Sequence, residues 1–275
     1  MIAAALSLAL SSATVPPCAP VPGAAPLLAM TDRRAFIFGE MHGTTEIPAL
    51  FGDLACQAAA RGPVIVGLEM PESSQAALNA WLASDGNAAA RAALLADDFW
   101  RMGDGRSSEA MLALLERVRT LKAAGRRISL LAFVPTVADA PTQSPYEQAM
   151  AANWRRALDG TPDARLFVLV GSIHSRMAQV RDFEPAAMHL PRAGSFTFGP
   201  LVVGGSAYNC QQDGCGPHRN GLIPEPMPQR GLVQTPAAAR ATMAYDYVYS
   251  PGRPFTPSPP ASPGPESARV RPPGS

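Results

Sequence analysis

The chain has 275 residues, of which 47% are hydrophobic, so it can bury one substantial core. Lys and Arg number 23 and Asp and Glu number 22, which leaves no excess positive charge for binding nucleic acid or an anionic membrane surface. The composition shows no break before the proline-rich end of the chain. We therefore expect one main domain and no nucleic-acid partner.

Residues 1–13, MIAAALSLALSSA, form a short apolar run that ends in small residues. Ser11 and Ala13 occupy the positions that a signal peptidase reads, so the segment predicts a signal peptide and a periplasmic or secreted protein. Because no positive charge precedes the apolar part, the alternatives are a true start further upstream or a merely apolar N-terminus. No other apolar run reaches the roughly 18 residues that a membrane helix needs, so we expect no membrane span.

The four cysteines are consistent with an oxidising compartment. Cys210 and Cys215 lie close together in a polar, glycine-containing stretch that favours a short disulfide loop. Cys18 and Cys56 remain as a second pair, with Cys56 expected on the exposed face of a helix. The alternatives are four free thiols, or a zinc knuckle of Cys210, Cys215 and His218 that lacks an evident fourth ligand.

Strand-like and helix-like segments alternate along the chain. Four short apolar runs are bounded by turn signals: RAFIF at 34–38, PVIVGLE at 63–69, RISLLAF at 127–133 and RLFVLV at 165–170. Helical periodicity is seen at 46–60, at 73–100 with a break at Gly86, and at 108–124. Runs that are apolar at every position suit strands covered on both sides. The pattern predicts an α/β fold with a mostly parallel central sheet and helices on both faces.

The C-terminal third is less regular. SFTFGPLVVGG, from residue 195, and AYDYVYS, from residue 244, indicate strands without long intervening helices, which we expect to be edge or antiparallel additions. We place the domain at residues 30–250. Residues 251–275 are rich in proline, serine and glycine, a composition typical of a disordered tail.

Acidic and histidine side chains follow three of the predicted strands. FIFGEMHG carries Glu40 and His42, FVLVGSIH carries His174, and VIVGLE ends on Glu69. Because the carboxyl ends of parallel strands meet at one edge of a sheet, these side chains are expected to converge there. Each residue alone has an ordinary explanation, a packed histidine or a helix-capping glutamate, but the repetition favours a site.

The motifs also resemble known families. FGEMHG followed by VGLEMP is similar to the ChaN-like haem-binding uptake proteins, GEMHGTTE is similar to the erythromycin-esterase motif, and the paired Gly-x-x-His motifs resemble the Tiki/TraB group. The resemblance covers residues 34–180 and is greatest to the ChaN-like domain. It implies that Glu40, His42, Glu69 and His174 form the site.

The chain also departs from these families. GSIHSRM lacks the glycine that often follows the second histidine in the Tiki/TraB group. LLAFVP stands where the esterases usually carry a glycine and an aspartate. Asp104 and Arg106, in a polar stretch before a helix, are further candidates to line the cleft, with a solvated loop as the alternative.

Several functions fit this pattern. We favour a metal-dependent hydrolase, an esterase or a peptidase, acting on a small-molecule or peptide substrate. His42, Glu69 and His174 would bind Zn or Mn, and Glu40 would act as the general base. The alternatives are a haem- or iron-binding protein without catalysis, a metal-free esterase with His42 as base, and a structural domain without chemistry.

Overall fold

A seven-stranded sheet forms the centre of the computed structural model, which describes residues 17–136 and 142–262. The predicted signal peptide, residues 1–13, lies outside the described residues. The sheet strands are β1 (Ala35–Glu40), β2 (Val64–Pro71), β3 (Ile128–Val134), β4 (Arg165–Gly171), β5 (Ser195–Pro200), β8 (Gly231–Gln234) and β9 (Tyr247–Ser250). A separate hairpin consists of β6 (Ser206–Gln211) and β7 (Gly214–Arg219). These strands confirm the predicted α/β class.

The strand order is β3-β2-β4-β1-β5-β9-β8. All neighbouring pairs are parallel except β8 with β9. Strand β4 therefore lies between β1 and β2, and the last residue of β1, Glu40, is in register with Gly171 at the end of β4. This order brings the carboxyl ends of the three predicted site strands next to one another.

Seven α-helices accompany the strands in the described part of the chain. They are α1 (Ala24–Ala29), α2 (Glu46–Ala59), α3 (Gln75–Ala83), α4 (Ala88–Leu95), α5 (Glu109–Ala123), α6 (Gln143–Gly160) and α7 (Arg240–Met243). The long predicted helix is interrupted between α3 and α4, where Gly86 has φ +75°, a conformation that glycine adopts without strain. Ser108 caps α5, because its Oγ accepts a hydrogen bond from the Met111 N–H. No described helix is long and apolar enough to cross a bilayer.

Aromatic side chains fill one face of the sheet. The rings of Phe36 and Phe167 stack at 4.7 Å, and those of Phe38 and Phe198 at 4.1 Å. Helices α1 to α5 contribute to this core, whereas Trp154 and Met150 of α6 pack on the opposite face. Burying both faces fixes the central strands and so positions the residues at their ends.

The C-terminal strands extend the sheet beyond β1 to one edge, as predicted, and the structure adds how they pair. Strand β5 pairs in parallel with β1 and lies inside the sheet, and β9 pairs in parallel with β5. Short 3₁₀ turns rather than a long helix connect β4 to β5, so helical periodicity gave no sign of a parallel crossover. The antiparallel edge is β8, a segment that was not predicted as a strand.

Both predicted disulfides are present, Cys18 with Cys56 and Cys210 with Cys215. Because Cys210 and Cys215 are bonded to each other, neither sulfur is free for the alternative zinc knuckle. The expectation that Cys56 lies on the surface was wrong, because the residue is fully buried. The arm before β1 covers that side of α2, where Gln57 also donates to the carbonyl of Ala19 at 2.8 Å.

The domain extends beyond the predicted 30–250 in both directions. Leu27 and Leu28 of α1 are buried in the core. Residues 251–262, which we call the C-terminal strap, were predicted to belong to a disordered tail but pack on the fold, with Phe255 buried. Backbone hydrogen bonds rather than a large apolar surface hold the strap, so its proline-rich composition was misleading. The remaining residues of the predicted tail, 263–275, lie outside the described residues.

Candidate active site

The four predicted site residues meet at the carboxyl edge of the sheet, around Gly171. A Cβ atom at this glycine would lie 2.9 Å from His42 Nε2, 3.4 Å from Glu69 Oε2 and 3.4 Å from His174 Cδ2. Only a residue without a side chain leaves this space to all three groups. Strands β1, β2 and β4 thus bring these polar residues together at one edge of the sheet, where the sequence predicted that they would converge.

Glu40 and His42 form a hydrogen-bonded pair. Glu40 Oε1 is 2.8 Å from His42 Nδ1, and the imidazole is 26% exposed while the carboxylate side chain is only 2% exposed. The Glu40 carboxylate is therefore buried beneath the more exposed imidazole. In this position Glu40 can orient His42, and its predicted role as general base stays a prediction.

The second ring nitrogen of His42 faces another carboxylate, since Nε2 is 3.6 Å from Glu69 Oε2. Burial by itself lowers the pKa of His42, but Glu40 and Glu69 outweigh it and raise the pKa to about 9. The imidazole is therefore a cation at neutral pH and a comparatively strong base once deprotonated.

Glu69 is fixed by two donors. The Gly171 N–H donates to its Oε2 at 2.6 Å, and Arg106 Nη1 donates to its Oε1 at 3.2 Å. Burial tends to raise the pKa of Glu69, but its cationic neighbours, His42 first among them, lower it. With both oxygens occupied and a low pKa, Glu69 is suited to hold charge rather than to accept a proton.

Arg106 lies beside Glu69 and pairs with Asp104. Arg106 Nη2 is 2.5 Å from Asp104 Oδ2, and the same oxygen accepts from Nε at 2.9 Å. Burial acts to raise the pKa of Asp104, but the Arg106 hydrogen bonds lower it. Asp104 thus holds the guanidinium beside Glu69.

His174 belongs to a second pair, with a partner that we did not predict. Glu147 of α6 is fully buried, and its Oε1 lies 2.7 Å from His174 Nδ1. Its Oε2 accepts from the Ala186 N–H at 2.8 Å, which fixes the carboxylate. One sequence signal was available: Glu147 occupies the helical stripe otherwise formed by Met150, Ala151 and Trp154, where a charged residue is unusual.

Two chain segments hold the loops that carry the site. The Tyr208 N–H of the hairpin and the Ser258 N–H of the strap donate to the carbonyl of Gly43, next to His42, at 2.9 and 2.8 Å. Cys210 Sγ also contacts the carbonyl of Gly103 at 3.1 Å, directly before Asp104. The hairpin and the strap therefore support the turn after β1 and the loop of Arg106.

The donor set does not favour a metal ion. Among residues 17–136 and 142–262, no group of three or more His, Cys, Asp or Glu is arranged to hold one. A metal bound by His42 would have to displace the imidazolium proton, and a metal bound by Glu69 would have to share the Glu69 carboxylate with Arg106. The predicted ligand set of His42, Glu69 and His174 therefore does not fit a divalent ion as it stands. Binding of Zn, Mn or haem stays a prediction.

The other two histidines, His189 and His218, lie outside this cluster. His218 Nε2 is 3.0 Å from Asp213 on the hairpin, and His189 Nδ1 is 3.9 Å from Glu184. Each pairs with an exposed carboxylate of its own neighbourhood.

Comparison with known proteins shows a fold but no family. No protein-family model matches the sequence, and no curated protein matches it. Among solved structures, a mutant of the erythromycin esterase EreC in its open conformation superposes with a TM-score of 0.64 at 11% identity, over 84% of this chain and 93% of that one. The type III effector HopBA1 superposes with a TM-score of 0.50 at 17% identity, over 90% of this chain and 100% of that one. The chain thus has an erythromycin-esterase-like fold, and the resemblance to ChaN-like and Tiki/TraB proteins stays a prediction.

Proposed function

We propose that the protein is a metal-free ester hydrolase in which His42 is the general base. The observation that carries this proposal is the Glu40–His42 pair, in which Nδ1 is held at 2.8 Å while Nε2 makes no hydrogen bond within the described part of the chain and faces Glu69 Oε2 at 3.6 Å. A carboxylate that holds one ring nitrogen fixes the tautomer and the orientation of the other. Glu40 is then a positioning residue for the base.

His42 is a better base than either neighbouring carboxylate. Glu40 is buried behind the ring, and both oxygens of Glu69 already accept hydrogen bonds. In the proposed reaction His42 Nε2 takes a proton from water as the water oxygen bonds to the ester carbonyl carbon. When the tetrahedral intermediate collapses, the carbon–oxygen bond to the leaving alkoxide breaks, and the alkoxide takes that proton from the imidazolium.

The remaining groups supply charge and orientation. Arg106 lies beside Glu69 and can stabilise the negative charge that develops on the carbonyl oxygen. His174, held through Nδ1 by Glu147, can hydrogen-bond the attacking water or the substrate with its other nitrogen. No step in this scheme needs a cofactor.

Hydrolysis of p-nitrophenyl acetate in excess EDTA tests the proposal. We expect activity to persist in the chelator and to fall about 10²- to 10⁴-fold in His42→Asn, which loses the base. The matched control is His189→Asn, since His189 lies outside the cluster and should be dispensable. Activity that EDTA abolishes and zinc restores would instead identify the metal-dependent hydrolase, and coloured protein with a haem absorption band would identify the carrier.

We further propose that the protein works outside the cytoplasm, in the periplasm or as a secreted enzyme. The two disulfides support this, because such bonds persist in oxidising compartments. N-terminal sequencing of the protein from fractionated cells tests it. A start close to residue 14 in the periplasmic or extracellular fraction is expected, and a reduced cytoplasmic protein that keeps Met1 would contradict it.

A further inference from the structure

Tyr146 lies in the first turn of α6, directly before Glu147. Its ring centroid is 5.9 Å from that of His174, with the two planes tilted by 58°. The side chain is half-buried and packs by its ring against the core between α6 and the sheet. The phenol is thus placed beside His174, on the helix that also carries Glu147.

The hydroxyl of Tyr146 has no assigned partner. Among residues 17–136 and 142–262, no group makes a hydrogen bond to it. The hydroxyl is not among the buried side-chain atoms that lack a partner, so it is accessible from solvent and free to donate to a ligand. Burial raises the pKa of Tyr146 to about 12, and the negative charge of Glu69 acts in the same direction. The group therefore keeps its proton, and can donate, at any pH at which His42 would act.

Arg106 alone provides few free donors. Its Nε and Nη2 atoms already contact Asp104, and its Nη1 atom donates to Glu69. An oxyanion is usually bound by two or more aligned donors. A second donor close to Arg106 would complete such a site, and Arg106 lies near enough to Tyr146 for its positive charge to lower the pKa of the phenol.

We propose that Tyr146 is a catalytic residue whose hydroxyl, together with Arg106, donates a hydrogen bond to the oxyanion of the tetrahedral intermediate. This inference rests on the hydrolase function proposed above. As the water oxygen bonds to carbon, the π electrons of the carbonyl become a lone pair on its oxygen. That lone pair returns when the carbonyl re-forms and the leaving bond breaks. Tyr146 gives up no proton in either step.

Steady-state kinetics of Tyr146→Phe test this role. Phenylalanine keeps the ring packing and removes only the donor. We expect kcat to fall about 10²- to 10³-fold, as on removal of one oxyanion donor, with KM nearly unchanged. Because the lost contact is to the carbonyl oxygen, the fall should be similar for p-nitrophenyl acetate, which has a good leaving group, and for ethyl acetate, which has a poor one. Tyr247→Phe, a half-buried tyrosine in β9, is the matched control and should behave as wild type.

Two results would overturn the assignment of Tyr146. One is wild-type kcat in Tyr146→Phe while His42→Asn is inactive, which leaves the hydrolase proposal intact. The other is a loss confined to ethyl acetate, which would place the hydroxyl at the leaving group instead. If His42→Asn is as active as wild type, the hydrolase function fails and the role of Tyr146 fails with it.

Discussion

Glu147 belongs to none of the strands that carry the site, yet its Oε1 atom lies 2.7 Å from Nδ1 of His174. The site therefore contains two carboxylate–imidazole pairs, one built within β1 and its turn and the other between α6 and the turn after β4. Each pair buries its carboxylate and leaves its imidazole partly exposed. Both rings are consequently held in one orientation through their Nδ1 atoms, as pre-organised acid–base groups require.

Glu147→Gln should lower activity without unfolding the protein. The amide is close in shape but has only one acceptor end, so it cannot accept from both His174 Nδ1 and the Ala186 N–H. We therefore expect kcat to fall by about tenfold or more, in the range seen when a group supporting a functional histidine is changed. Kinetics and thermal melting measure the two effects separately. The control is Glu184→Gln, whose carboxylate is exposed and 3.9 Å from His189. Unchanged kcat in Glu147→Gln would show that the second pair is only structural.

The rate should depend on pH through His42. The pKa of His42 is raised to about 9, against an ordinary value of 6.5, so the imidazole is protonated below pH 9 and cannot accept a proton. For a single essential base, kcat/KM should rise about tenfold per pH unit up to that pKa and then level off. A rate that falls between pH 7 and 9 would mean that the cationic form is the active one.

Folding stability offers a second measurement of the same pKa. Because the folded-state pKa of His42 is raised, its contribution is fully present below pH 6.5 and is lost as the pH rises to about 9. Urea unfolding of wild type and His42→Asn should therefore converge over this interval. A constant difference between the two would contradict the raised pKa.

Loss of one disulfide should mainly lower stability, and loss of the other should mainly lower activity. Cys18 and Cys56 are 38 residues apart and Cys210 and Cys215 only 5, so a chain-entropy estimate gives about 4 against about 2 kcal/mol of stabilisation. The short disulfide, however, contacts the loop of Arg106 through Gly103. Replacing Cys210 and Cys215 by serine should mainly lower kcat.

The corresponding double serine variant of Cys18 and Cys56 should mainly lower the melting temperature, and each variant serves as the control for the other. Equal losses of kcat in both would contradict a specific role of the hairpin in supporting the Arg106 loop.

Removal of the C-terminal strap should destabilise the protein and inactivate it. Phe255 is buried, and Glu46 accepts hydrogen bonds from the N–H and hydroxyl of Thr256 at 2.9 and 2.6 Å. A chain ending at Ser250 should therefore melt several degrees lower and lose most activity. A chain ending at Ser262 keeps these contacts and is the control. If both truncations melt like the full chain, the strap does not contribute.

The strand-end residues could be predicted because the signals are local. A short apolar run followed by glycine and a polar residue identifies both the strand and the end at which its side chain emerges, which located Glu40, His42, Glu69 and His174. Glu147 escaped because its role depends on how α6 docks against the sheet, and that is set by residues distant in sequence. The placement of β5 beside β1 is non-local in the same way.

The strap was missed for a different reason. Its prolines limit pairing, and its composition is that of chains that do not fold alone. Backbone groups of Gly43 and Ser107 nevertheless pair with it, and one buried aromatic ring, Phe255, anchors it. Composition describes what a segment can do by itself, whereas the order of this one depends on a surface formed elsewhere in the chain.

The position of β4 between β1 and β2 has a consequence for how the protein acquires activity. His42 and Glu69 are close in sequence, but they meet across Gly171, which is synthesised about a hundred residues later. Refolding of β1 and β2 alone cannot bring these two side chains together, since β4 must first insert between them. Such non-local pairing is slow. During refolding, recovery of hydrolysis should therefore lag behind the recovery of helical circular dichroism, so the enzymatic assay reports the last stage of assembly.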